Sequence, residues 1–201
     1  MICHGKKAIF IHIPRNAGRS MEAYIGGKRP SNPHHTDIKI LRAIEDGKYS
    51  DYFSFAIVRN PLDRMVSIFH HYIDGGNKSK ADRKIQKALS TMGFYSFIRN
   101  LEALPDIIPG YHQELHPFIM EQHSYIFGHD DRMLLDYIAR YEDIEQNAQY
   151  IGKRLGIQGS FPHKNRSDHE PYKNYYDPEL VYIVRRRYHR DIELFYPGIG
   201  A

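Results

Sequence analysis

Two short apolar runs, Ala8–Ile13 and Phe53–Val58, stand out from an otherwise mixed sequence. Neither alternates apolar with polar residues, so each predicts a strand buried on both faces, the habit of a parallel sheet. His12 falls inside the first run and reads as a hydrogen-bonded core residue rather than a ligand. Each run then gives way to helical spacing. Ser20 to Ile25 begins a helix that Gly26-Gly27 can end. In the second case Asn60 suits the N-cap, Pro61 the first helical position and Asp63 the third. Leu62, Met65, Val66, Phe69 and Ile73 follow as an apolar stripe, with Arg64, Ser67, His70 and His71 off it.

The rest of the pattern is less even. A polar loop over 28–36 leads to a short helix over Ile38–Ile44. Residues 74 to 130 hold a loop at Asp74–Asn77, a charged helix near Asp82–Leu89, a short helix near Phe94–Leu101 and a Pro-rich loop. Leu134–Arg140 predicts a third strand. Ile144, Ala148, Ile151 and Leu155 mark a helix closed by Gly156. A C-terminal helix opens at Asp177-Pro178 and turns Leu180, Val181, Val184, Tyr188 and Ile192 inward. Strands alternating with helices predict an α/β fold, a P-loop-like parallel sheet with crossover helices on both faces and an inserted, mostly helical region.

Composition narrows the class. At 201 residues the chain suits a single domain over 1–201, with 74–130 as an insertion that shapes an acceptor pocket. Polar groups available there are His112, His116, Gln122 and Ser124. The net charge of +4 favours anionic ligands without naming one. A single cysteine, Cys3, excludes an internal disulfide and favours a reducing compartment. With no apolar run of membrane-spanning length and no signal-like N-terminus, a cytoplasmic location is expected.

The chemistry concentrates where the first two strands end. In Pro14-Arg15-Asn16-Ala17-Gly18-Arg19-Ser20, small residues let the backbone approach an anion at a helix N-terminus. Arg15 and Arg19 add charge, and Ser20 adds a hydroxyl. The pattern is not that of the nucleotide hydrolases, because Arg19 stands where a lysine belongs and Ile13 where the first glycine belongs. The second turn repeats the theme. Arg59 leaves the C-terminal end of a strand, and Ser67 lies two helical turns on. The bland alternatives are a solvated pair of arginines in the first turn and an Arg59–Asp63 pair in the second. The basic run Arg185–Arg190 reads as a solvated helix face around a buried Tyr188 rather than a nucleic-acid site.

Together, IFIHIPRNAGRS and FAIVRNPLDRMVS resemble the two cofactor turns of sulfotransferases that use 3′-phosphoadenosine 5′-phosphosulfate (PAPS), in their carbohydrate-type branch. The later blocks RYEDIEQNAQYIGKRLGI and HKNRSDHEPYKNYYDPELVYIVRRRYHRDIELFYP resemble the same branch. The resemblance implies that Arg15, Asn16, Ala17, Gly18, Arg19 and Ser20 bind the 5′-phosphosulfate. It implies Arg59 and Ser67 at the 3′-phosphate, and Arg166 and Ser167 in a loop over the nucleotide. The family lysine is Arg15 here, which can supply charge at the leaving bridge but does not readily give up a proton. A general base is implied at His35 or His34, with His35 preferred, against the alternative of two exposed loop histidines. The implied reaction moves a sulfuryl group to a hydroxyl of a sugar or polysaccharide, with no metal and no nucleic acid. The competing classes are a kinase-like phosphoryl transferase and a non-catalytic polyanion-binding module.

Overall fold

The structure, a computed structural model, describes residues 1–26, 43–44, 46–128, 130–162 and 169–198. Along the chain run β1 (Ile2–Cys3), β2 (Ala8–Ile11), α1 (Gly18–Ile25), β3 (Phe53–Val58), α2 (Pro61–Ile73) and α3 (Lys80–Arg99). After several short helical turns come β4 (Tyr137–Arg140), α4 (Ile144–Arg154), α5 (Pro178–Arg187) and α6 (His189–Phe195). The described residues fall into two compact units, one drawn from 1–59 and 121–166, the other from 60–120 and 167–201.

The first unit carries the whole sheet, in the order β1-β2-β3-β4. β2, β3 and β4 are parallel, with Phe10 opposite Phe55 and Ala56 opposite Ile138. The α/β class expected from the alternation of strands and helices is the one observed. β1 was not anticipated: two residues pair antiparallel with Ala8 and Ile9. They are too few to carry a periodic signal. All four residues of β2 are buried, as a continuous apolar run requires. Phe10, Phe55 and Ile57 pack with Met21 and Ile25 of α1 and with Ala148 and Ile151 of α4. The helix over Ala148 and Ile151 and the turn at Gly156 (φ 63°) follow the predicted spacing.

The second unit is helical. Asn60 caps α2 as expected, its Oδ1 accepting the Leu62 N–H at 3.0 Å, with Pro61 first in the helix. Leu62, Met65 and Phe69 join Ile85, Leu89 and Phe97 of α3 in one core. α3 starts at a capping box between Ser79 and Asp82 and runs through both predicted short helices. Its two halves are separated by a kink at Gly93 (φ 73°), where the predicted break falls. Asp177 caps α5, accepting from Leu180 N–H at 2.8 Å. The single predicted C-terminal helix is two, parted at Tyr188, whose ring is buried and whose hydroxyl donates to Ile119 O at 2.7 Å. Of the basic run around it, Arg186 pairs with Glu102 at 2.9 Å and Arg187 lies over the Tyr188 ring.

Two residues contradict their predicted place off the apolar stripe: Ser67 is fully buried, and so is the much larger Arg64. Its guanidinium donates to Phe118 O at 2.7 Å and Met120 O at 2.9 Å. A helical wheel ranks arginine as polar. It cannot show that two backbone carbonyls wait inside the core for its donors.

Candidate functional site

The site lies in the sheet-bearing unit, where β2 and β3 end. Chain geometry at the first turn is unusual. Arg15 (φ 67°) and Ala17 (φ 57°) both adopt the left-handed conformation that side chains disfavour. Such residues persist only where the surroundings hold them, and they cluster at ligand sites. Ala17 is the N-cap of α1 and offers no side-chain cap, and no acidic residue stands in the first turn. The positive end of this helix is therefore not neutralised by a carboxylate of its own first turn.

Gly18 has a steric reason. A Cβ built there would fall 1.9 Å from His12 Nε2. His12 follows β2 directly, stacks on Phe10 at 5.9 Å and pairs through Nδ1 with Glu22 Oε1 at 2.8 Å. The expected hydrogen bond is present, but His12 lies just past the strand and is part-exposed rather than a core residue, with its ring against the Gly18 backbone.

At the second turn Arg59 is only 5% exposed. Its Nη1 donates to the carbonyl of Arg15 at 3.0 Å, and its guanidinium lies 4.2 Å from the centre of the Tyr141 ring. That separation is within the range of a cation–π contact. Tyr141 follows β4 directly, so residues after three adjacent parallel strands meet at one edge. This is where open α/β sheets hold ligands.

A buried amide network joins the two turns. Asn16, 1% exposed, donates from Nδ2 to Ile57 O at 2.8 Å and to Gln122 Oε1 at 2.7 Å. Gln122, fully buried, accepts the Arg59 N–H at 2.9 Å and donates to the Arg59 carbonyl at 2.9 Å. Sequence reasoning placed Gln122 among polar groups of an acceptor pocket. Nothing in its local pattern signals a partner 63 residues away.

Ser20 is buried at the start of α1. The Arg59 guanidinium and the backbone N–H groups at the α1 N-terminus are the donors that the fold brings to this edge, in a turn that also carries Arg15, Arg19 and Ser20. A model of the sulfotransferase family matches residues 1–197. The chain belongs to the sulfotransferase family.

It is therefore an enzyme of PAPS-dependent sulfuryl transfer. Comparison with curated proteins and with solved structures returned no match. Cationic side chains and backbone donors, the chemistry that the anionic groups of PAPS need, occur in both turns. Of the other expected site residues, Ser67 is fully buried on α2. His34, His35, Arg166 and Ser167 lie outside the described residues. Of the sulfotransferase's remaining histidines, His71 stacks on Phe118 at 5.3 Å and His70 on His169 at 5.2 Å, in the second unit. Burial, and then His169, lower the His70 pKa, while Asp74 opposes them. Ser124 donates to Glu121 O at 2.6 Å. Among the described residues, no group of three or more His, Cys, Asp or Glu side chains gathers to hold a metal, and no helix is long and apolar enough to cross a membrane.

Proposed function

We propose that this sulfotransferase acts on a hydroxyl of a carbohydrate-like acceptor, holding the 5′-phosphosulfate of PAPS on the turn Arg15–Ser20 and the 3′-phosphate at Arg59. The observation that carries the reading is the Arg59–Arg15 bond. It puts the two cationic turns side by side at the end of adjacent strands. When bound, PAPS supplies a sulfuryl group already activated on a phosphate oxygen. The α1 N-terminus and Ser20 orient the phosphate oxygens, and Arg15 stabilises the negative charge that grows at the leaving bridge. Arg15 acts there as a fixed cation, since guanidinium does not release its proton near neutral pH. The resemblance assigns removal of the acceptor's hydroxyl proton to His35 or His34.

The acceptor class rests on the carbohydrate-type branch that the two turns resemble, supported by 16 tyrosines and 10 phenylalanines available to stack on sugar rings. The test is transfer of labelled sulfate from PAPS to a panel of oligosaccharides, simple alcohols and phenols. Sulfated sugars formed by the wild type, and not by His34→Ala/His35→Ala, are the expected result. Efficient transfer to phenols with none to sugars would refute the acceptor assignment.

A further inference from the structure

The amide network reaches beyond packing, because its donors and acceptors can be assigned one by one. The main-chain N–H of Arg59 needs an acceptor and its carbonyl needs a donor, which fixes Gln122 with Oε1 toward the first and Nε2 toward the second. Ile57 O, a carbonyl, accepts only, which fixes Asn16 with Nδ2 toward it. The same Nδ2 donates its second hydrogen to Gln122 Oε1. Both amide hydrogens of Asn16 are thus committed inside the protein. Its remaining polar atom, Oδ1, is an acceptor with no partner. A bare carbonyl oxygen repels a phosphate or sulfate oxygen, so this side chain is not built to ligate the cofactor.

We infer that Gln122 and Asn16 are positioning residues for the donor site. Gln122 pairs with Arg59 as a neighbouring strand would, one residue beyond the end of β3. It thereby sets the direction in which the guanidinium leaves the backbone. Asn16 ties the first turn to the same oxygen, so both anion-binding turns refer to one buried amide. Three left-handed or buried elements then lock one another: Arg15 at φ 67°, Arg59 bonded to its carbonyl, and Asn16 beside them. The inference rests on Arg59 being the reader of the 3′-phosphate.

The test measures binding of 3′-phosphoadenosine 5′-phosphate and of adenosine 5′-phosphate, which lacks the 3′-phosphate, by calorimetry on the full chain. The proteins are wild type, Arg59→Ala, Gln122→Met and the double variant, with circular dichroism to confirm folding. Gln122→Met keeps the volume and removes the amide. Gln122 makes two bonds to Arg59 and one to Asn16, so the variant is expected to weaken the bisphosphate by about tenfold, the cost of one mis-set charged hydrogen bond, and adenosine 5′-phosphate by less, narrowing the preference between them. In the Arg59→Ala background it is expected to add less than about twofold, since no guanidinium remains to be aimed. A residue that only stabilises the fold would leave the preference for the bisphosphate unchanged. Should Gln122→Met not fold, Gln122→Glu, which keeps an acceptor for the Arg59 N–H and removes the donor to its carbonyl, is judged by the same criteria. Loss of affinity in Arg59→Ala with an unchanged preference in Gln122→Met overturns the positioning role alone. Unchanged affinity in Arg59→Ala overturns the cofactor assignment beneath it.

Discussion

Gly18 shows how a single position can be decided by its neighbour. With a Cβ 1.9 Å from His12 Nε2, Gly18→Ala has to displace a ring that is itself held by Glu22. Overpacking of this kind costs about 1–3 kcal/mol, and here it falls on the anion-binding turn. The variant is expected to lose thermal stability and bisphosphate affinity together, and Gly18→Ala/His12→Ala to recover most of the stability. Arg15 poses the chemical question. As a fixed cation it is replaceable by another cation but not by a neutral group. Arg15→Lys should retain turnover within about tenfold, whereas Arg15→Ala should lose roughly a hundredfold or more in kcat. Equal rates for Arg15→Ala and the wild type would remove Arg15 from the reaction.

At the scale of elements, legibility followed the range of the interaction. β2 and β3 were readable because a run of apolar residues has few ways to be buried. The α2 start was readable because Asn60, Pro61 and Asp63 act within one turn of one another. The two halves of α3 were readable as separate helices on either side of Gly93, whose φ of 73° breaks the helical path. Arg64 and Gln122 were misread because their partners lie more than fifty residues away. Composition and periodicity carry no trace of such pairs. Arg64→Ala would leave the carbonyls of Phe118 and Met120 without their donors and open a cavity in the second unit's core. It is expected to cost about 2–4 kcal/mol of stability, measured by urea denaturation.

For the molecule as a whole, pH is the simplest probe. Burial, and then the adjacent His169, lower the folded-state pKa of His70 below that of an unfolded histidine, near about 6.5. The unfolded chain therefore binds the proton more readily. His70 contributes its stability above that pH and loses it progressively as the pH falls below about 6.5. Among the described residues, His169, Asp74 and Tyr175 are titratable groups that face it. Between pH 7.5 and 5.5 the denaturation midpoint should fall, and His70→Gln should flatten part of that slope. A slope unaltered by His70→Gln would assign the loss to other histidines.

Ligand-dependent melting tests the donor site most directly, because a ligand that binds only the folded chain raises its melting temperature. With 3′-phosphoadenosine 5′-phosphate at a concentration about a hundredfold above Kd, the rise should be roughly 5–10 °C for a chain of this size. ATP with Mg²⁺ should give little, and Arg59→Ala should abolish the shift. A shift with ATP and Mg²⁺ alone, or an undiminished response in Arg59→Ala, would contradict the account.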